Sequence, residues 1–406
     1  MYWYSVSSPT GVLATLSAVC AFFFWLEKAT QWKFFQFIPP LIFIYLAPMI
    51  LSNTGVLPTE SPVYTTMGRI LLPMLLTLLL LKLNIRGAVR VLGRGLGVML
   101  VGSLGVMIGA PIGLLAVKHW LGPDAWKAFG SLSASWVGGS ANLVAVSHAL
   151  ESSGTEYGLA VLADTLITYA VWLPLLLASK KFAVPFARFT RVRLIDESEA
   201  TDEQILPEDV AHAPTTRDYL FLLCIALLGT WIADAGANWI QQQTSAWSAQ
   251  STIDGAIAAK PYVSTETWRI LLISTVGIAL SFTPVSRIHG SHELAMAFLY
   301  LFVAEIGASA KLDGVAQQAV PFLIGALIWI FIHGCFCLLG AAIFRTDIHI
   351  AAIASAANVG GTATSTIVAS YHKRSLVPAA IVMALIGYAI GTYTGLITAM
   401  ICRYVS

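Results

Sequence analysis

Charge is what this sequence has least of. Asp, Glu, Lys and Arg make up 11% of its 406 residues, less than half of the roughly 25% found in an ordinary soluble domain. Neither sign dominates, with 23 basic and 21 acidic residues and a formal net charge of +2. Without a basic stripe, nothing points to a nucleic-acid partner. Cysteine is scarce as well. Its five members (Cys20, Cys224, Cys335, Cys337 and Cys402) all sit in or beside apolar runs. There they read as small packing residues rather than as a disulfide or metal framework. Enzyme signatures are missing: there is no His-Glu-x-x-His, no nucleophile elbow and no Gly-x-x-x-x-Gly-Lys-Ser/Thr phosphate loop. Gly139-Ser-Ala-Asn142 is no intramembrane protease motif either, because no glycine follows Ser140 and no catalytic partner is evident. The expectation is a protein that is not an enzyme and carries no cofactor. The opening Met1-Tyr-Trp-Tyr-Ser5 has no basic segment of the signal-peptide kind, so the first apolar run is expected to be retained.

What fills the chain instead is apolar. Hydrophobic residues make up 57% and the mean hydropathy is +0.77. Runs approaching the roughly 20 residues needed to span a bilayer lie at about 9–26, 34–52, 64–83, 91–118, 157–179, 217–236, 268–284, 293–310, 318–344 and 376–402. The sequence predicts an all-α polytopic membrane protein. Residues 180–216 are polar, basic first (Lys180, Lys181, Arg188, Arg191, Arg193) and then acidic (Asp196 to Asp209). They divide the chain into a first repeat (1–179), a cytoplasmic linker (180–216) and a second repeat (217–406). A second polar stretch, 237–266, contains Gln241-Gln-Gln243 and reads as a loop insertion. Trp3, Tyr4, Trp25, Trp32, Trp120 and Trp126 lie near run ends, as interfacial belt residues do.

Two further apolar segments, at about 128–149 and 350–370, carry the organising motif. Ser133-Ala-Ser-Trp-Val-Gly-Gly-Ser-Ala-Asn142 and Ser355-Ala-Ala-Asn-Val-Gly-Gly-Thr-Ala-Thr364 share their Ser-Ala start, Val-Gly-Gly centre and following Ala. In both, Ser140 or Thr362 follows the glycine pair. A glycine pair weakens a helix, and non-helical backbone at membrane depth survives only where protein or a watery cavity surrounds it. Paired broken segments in corresponding positions of two halves mark a transporter's binding site. If both segments crossed the membrane, the halves would run parallel. If both are re-entrant hairpins, each half has five spans and the halves are inverted. Basic residues gather on the cytoplasmic side. Lys82, Arg86, Arg90 and Arg94 after the third run and the basic linker after the fifth fall on one side only in the hairpin arrangement. The same arrangement places Arg287, Arg345 and His372-Lys-Arg374 with them, and leaves Lys118 and Lys127 opposite. A weaker match, Leu83-Asn-Ile-Arg-Gly87 against Lys311-Leu-Asp-Gly314, falls in corresponding places of the two halves.

Trp136-Val-Gly-Gly-Ser-Ala-Asn142, Asn358-Val-Gly-Gly-Thr-Ala-Thr364 and Ile306-Gly-Ala-Ser-Ala310 resemble motifs of the YjcL-like membrane-protein family over nearly the whole chain. More remotely, the paired Gly-Gly hairpins look like those of sodium-coupled citrate and glutamate symporters. The superfamily of those symporters also includes bile-acid symporters and cation–proton antiporters. The resemblance implies inverted repeats, a mobile core domain holding both broken segments, a more static scaffold and a homodimer through that scaffold. It supplies no substrate, and Ala141 and Ala363 stand where citrate-type hairpins carry a further glycine.

A helix restarting after a break presents free N–H groups and a partial positive charge, a ready site for an anion. Gly138, Gly139, Ser140, Asn142, Gly360, Gly361, Thr362 and Thr364 are therefore the candidate solute site. Asn358, Thr364, Ser365 and Thr366 form an oxygen-rich run suited to Na⁺. Asp164, in Leu162-Ala-Asp-Thr-Leu166, is an intramembrane acid of the kind that carries ions. Two readings stay open for Glu305 (ion path, or an interfacial pair with Lys311) and two for His333 (proton relay, or packing). The expected function is a secondary active transporter in the bacterial inner membrane. It would move a small anionic organic solute by alternating access, coupled to Na⁺ or H⁺. The alternatives are a cation–proton antiporter and a channel or holin-like export protein.

Overall fold

A computed structural model describes residues 6–32, 35, 40–82, 93–192, 213–250, 264–310 and 312–406, with the backbone alone at 245–250 and 312–314. The match at 83–87, Arg86, Arg90, Arg193, Lys311, the acidic part of the linker, Trp3 and Tyr4 lie outside the described residues. Every regular element among the described residues is helical. They are α1 (Pro9–Thr30), α2 (Pro40–Asn53), α3 (Pro62–Leu80), α4 (Arg94–Val117), α5 (Ala125–Gly138), α6 (Ser140–Ala149), α7 (Gly154–Thr190), α8 (Thr216–Gln250), α9 (Thr265–Ser281), α10 (Ser291–Ser309), α11 (Leu312–Ile343), α12 (Ile348–His372) and α13 (Val377–Val405).

Eight of these helical stretches are long and apolar enough to cross a membrane: α1, α3, α4, α7, α8, α10, α11 and α13. The runs at 34–52 and 268–284 form the shorter α2 and α9, of 14 and 17 residues. At 1.5 Å per residue they measure about 21 and 26 Å. Two polar stretches are more helical than their composition suggests. α8 runs on to Gln250, through the first 14 residues of the segment expected to be a loop. Between Asn238 and Gln250 that segment holds no glycine or proline, and its Gln, Ala and Trp residues cost a helix little. Likewise α7 continues past residue 179 to Thr190, into the expected linker.

Prolines explain the irregular turns. Wide π-turns occupy Met67–Leu71 in α3 and Leu166–Trp172 in α7, each ending just before a proline, Pro73 or Pro174. A proline has no N–H to give the carbonyl four residues back and crowds it, so the turn widens.

The two glycine pairs do break their helices. Gly139 has φ 76° and ψ 173°, and Gly361 has φ 64° and ψ −153°, a region open essentially to glycine alone. The chain doubles back at each. Lys127 Nζ donates to Glu151 O at 3.3 Å, closing the base of the α5–α6 hairpin. His349 and His372, at the two ends of α12, meet Nδ1 to Nδ1 at 3.0 Å. A straight 25-residue helix would hold its ends about 36 Å apart.

The helices pack in two groups. In one, α4 lies along α11, α5 against α13, and α12 against α13 and α4; in the other, α10 packs on α2 and α3, and α9 on α8 and α3. Close approach of α4 and α11 rests on missing side chains: a Cβ on Gly113 would fall 2.5 Å from Gly325 O, and one on Gly109 would fall 3.0 Å from Trp329 O. Small residues four apart are a usual device for seating membrane helices together.

Candidate functional site

The hairpins enter from opposite ends of the molecule. The base of α5–α6 lies beside the start of α9, where Thr267 Oγ1 donates to Ala149 O at 2.8 Å. The base of α12 lies beside the far end of α7, where Lys180 Nζ donates to Tyr371 O at 2.6 Å. Their tips converge on α13. A Cβ on Gly139 would fall 2.9 Å from the ring of Tyr388, and one on Gly361 would fall 2.9 Å from its hydroxyl. Tyr388 Oη also lies 3.4 Å from Thr362 N and 3.3 Å from Thr362 Oγ1.

A cavity of about 300 Å³ opens at this junction. The first hairpin contributes Ser135, Gly139 and Ser140; the second, Gly360, Gly361 and Thr362; α7, Asp164, Thr168 and Tyr169. The far wall comes from the other packing group: His292, Met296, Leu299 and Tyr300 of α10, with Leu41 and Leu79. The site therefore lies where the two groups of helices meet.

Several of its polar groups are deeply buried. No side chain caps the N-terminus of α6, whose first residues Ser140 and Ala141 line the cavity. Asp164 faces Ser135 and Trp136, and Thr168 stands one helical turn further along α7. Ser135 and Thr168 are 1% and 2% exposed, so the carboxyl sits in a buried, polar cluster.

The expected site residues divide into two sets. Gly139, Ser140, Gly360, Gly361, Thr362 and Asp164 are brought together around the cavity. The others stand behind its wall. Gly138 packs on Gly387 and Gly391 of α13. Asn142 donates from Nδ2 to Gly138 O at 2.5 Å and to Tyr388 O at 3.2 Å, and accepts from Thr392 Oγ1 at 2.5 Å. Its amide ties the first tip to α13. Asn358 likewise ties the second hairpin to α4, donating to Met99 O at 3.1 Å and accepting from Ser103 Oγ at 3.2 Å. Ser365 and Thr366 donate to Thr362 O at 3.1 and 2.6 Å, and Ser365 Oγ also lies 3.3 Å from Ala380 O of α13. Thr364 faces Tyr169, also outside the cavity lining.

Both ring nitrogens of His333 are hydrogen-bonded within the helix bundle. Its Nδ1 lies 2.9 Å from Gly102 O, and because a carbonyl only accepts, Nδ1 carries the proton. Nε2 then accepts from Ser355 Oγ at 2.9 Å, and Ser355 accepts in turn from Trp172 Nε1 at 2.9 Å. Glu305 lies away from the tips, in a second cavity, with Ser309 Oγ donating to it at 3.3 Å. Sequence reasoning missed Ser135, Tyr169 and Tyr388. The first two sit close to Gly138 or Asp164 in the chain and carried a signal. Tyr388 reaches the site only through the packing of α13.

The sequence profile of the DUF819 family, described as a protein family of unknown function, matches residues 14–405. The chain belongs to that family. It is also 27% identical over 376 residues to "Uncharacterized membrane protein YjcL" of Bacillus subtilis (strain 168), covering 91% of each chain. That relative's name and the eight helices able to span make this DUF819 member an integral membrane protein in contact with the bilayer.

Proposed function

We propose that this protein is a secondary active transporter that carries a small anionic organic solute by alternating access, with a cation, Na⁺ or H⁺, as its co-traveller. The observation that carries the reading is the single cavity formed by both hairpin tips. Two helices begin there, at Ser140 and Thr362, and their N-terminal dipoles and N–H groups favour a negative ligand. Asp164 lies in the same cavity. In a low-dielectric site a carboxylate and an anionic solute repel strongly, so the solute enters together with a cation that neutralises Asp164. Coupling then follows from electrostatics.

Lys28, Lys82, Arg94, Lys180, Lys181, Arg287, Arg345, Lys373 and Arg374 sit at the end where α12 enters. By the positive-inside rule that end faces the cytoplasm, an orientation that suits re-entrant hairpins and inverted halves. The group holding α4, α7, α11, α13 and both hairpins is the moving core; α1–α3 and α8–α10 form the scaffold. Leu41, Leu79 and His292, near the cytoplasmic ends of their helices, line the cavity, so this is an inward-facing state.

The test is thermal stabilisation of the purified protein by a panel of small mono- and dicarboxylates, with amines and sugars of matched size as controls. A ligand at one hundred times its Kd adds about 2.7 kcal/mol to the folded state. A carboxylate that stabilises wild type and loses its effect in Ser140→Ala/Thr362→Ala supports the reading. Stabilisation by amines alone would move it to the cation–proton exchange alternative.

A further inference from the structure

A second cavity, of about 450 Å³, lies between the same elements toward the opposite end of the molecule. α3 lines it with Tyr64, Gly68 and Arg69; the first hairpin with Ser147 and His148; α10 with Phe302, Glu305 and Ser309. Both cavities thus follow the seam between α3 and α10 on one side and the first hairpin and α7 on the other. Along α10 the last residue of the first cavity is Tyr300 and the first of the second is Phe302, while along α6 the change falls between Ala141 and Ser147. Six residues of helix are about 9 Å, so on the hairpin side the partition is between one and two helical turns thick.

At that level His148 reaches across the seam. Its ring stacks on Phe302 with centroids 6.0 Å apart and planes 18° from parallel. Its Nε2 lies 2.8 Å from where a Cβ on Gly68 would stand. Only a glycine at 68 leaves room for the imidazole, and Phe302 is 3% exposed. One side chain of the hairpin group is seated between an aromatic ring and a bare stretch of backbone of the other group.

We propose that the His148–Phe302 pair, seated on Gly68, is the outer gate of the transport path. The second cavity is then its external vestibule, through which water and the coupling cation reach Asp164. Glu305 lies one turn beyond the gate, on the vestibule side. The gate opens when the hairpin group slides along the seam and lifts His148 off Phe302. This inference rests on the reading of the first cavity as the central site, and the experiment separates the two.

In a background whose five cysteines are replaced by serine or alanine, single cysteines are placed at Ser309 and at Ser140. A membrane-impermeant thiol reagent is then applied to right-side-out and to inside-out vesicles. Ser309→Cys should label from outside. Ser140→Cys should label from inside, and at least tenfold more slowly from outside. Adding Phe302→Ala, or separately His148→Ala, should raise the outside rate at Ser140→Cys tenfold or more. The two removals act on different helices, so a folding defect in one leaves the other to decide. If neither removal changes the outside rate, or if Ser309→Cys is unreachable from outside, the gate is overturned while the central site stands. If Ser140→Cys is unreachable from inside, the central cavity falls and the gate with it.

Discussion

Gly139 and Gly361 set the site because their backbone angles are closed to other residues and because both lie against Tyr388. Ala at either position incurs strain of about 1–3 kcal/mol, and its methyl group meets the tyrosine as well. Gly139→Ala should therefore lower the melting temperature by several degrees and abolish ligand stabilisation, read in the same thermal assay. Gly55→Ala serves as control: its φ is also positive, at +81°, but nothing lies within 4 Å of it. It should lose a similar amount of stability and keep binding. Asn142 makes the opposite case. Asn142→Ala removes the bonds that tie the tip to α13 and leaves Thr392 unpaired in a buried position, at about 1–3 kcal/mol for such a group. The loss should appear in stability at least as much as in affinity. The glycine pairs were legible in sequence because nothing but glycine serves at such a φ. The division of labour between Ser140, which faces the cavity, and Asn142, which turns away, was not. Two residues on a helix lie about 200° apart, and sequence does not say which face looks inward.

At the scale of elements, the second hairpin depends on its base as well as its tip. His372 Nε2 lies 2.9 Å from Leu176 O, so that nitrogen carries the proton and Nδ1 is left to accept from His349. Burial foremost, opposed by the bond to the Leu176 carbonyl and by Asp347 and reinforced by the neighbouring His349 and Lys180, holds His372 below the usual imidazole value. The unfolded imidazole takes up its proton as pH falls through about 6.5, while the folded one resists. Stability present above that pH is lost on acidification. The melting temperature should fall between pH 7.5 and 5.5, and fall less in His372→Gln. Equal slopes in the two proteins would remove the histidine pair from the account. The α4–α11 contact offers a check of a different kind. Gly113→Leu drives a side chain into Gly325 O and should destabilise by about 1–3 kcal/mol, the usual range for overpacking. The four-residue glycine spacing that permits this contact is present in the sequence, whereas the partner it selects emerges only from the fold.

For the whole molecule, the alternation of apolar runs and basic loops was enough to read an all-helical membrane protein with two interrupted segments. It was not enough to read the ends of α7 and α8, where helical turns carry on into segments of mixed composition. Nor did it show that Glu305 and Asp164 belong to different cavities on one seam. That follows from how α10 lies against α7, a tertiary fact with no local signature. The molecule-scale claim is that a cation and an anionic solute meet at the tips because Asp164 demands it. The measurement that tests it most directly is the thermal stability of the purified protein in Na⁺ against choline, at pH 6 and at pH 8, for wild type and Asp164→Asn. Comparing the two proteins cancels the contribution of His372, which both share. The expected result is stabilisation of wild type by sodium, or by the lower pH relative to the mutant, and its absence in Asp164→Asn. If wild type and Asp164→Asn respond alike to both ions, the cation is not held at Asp164 and the account of coupling is contradicted.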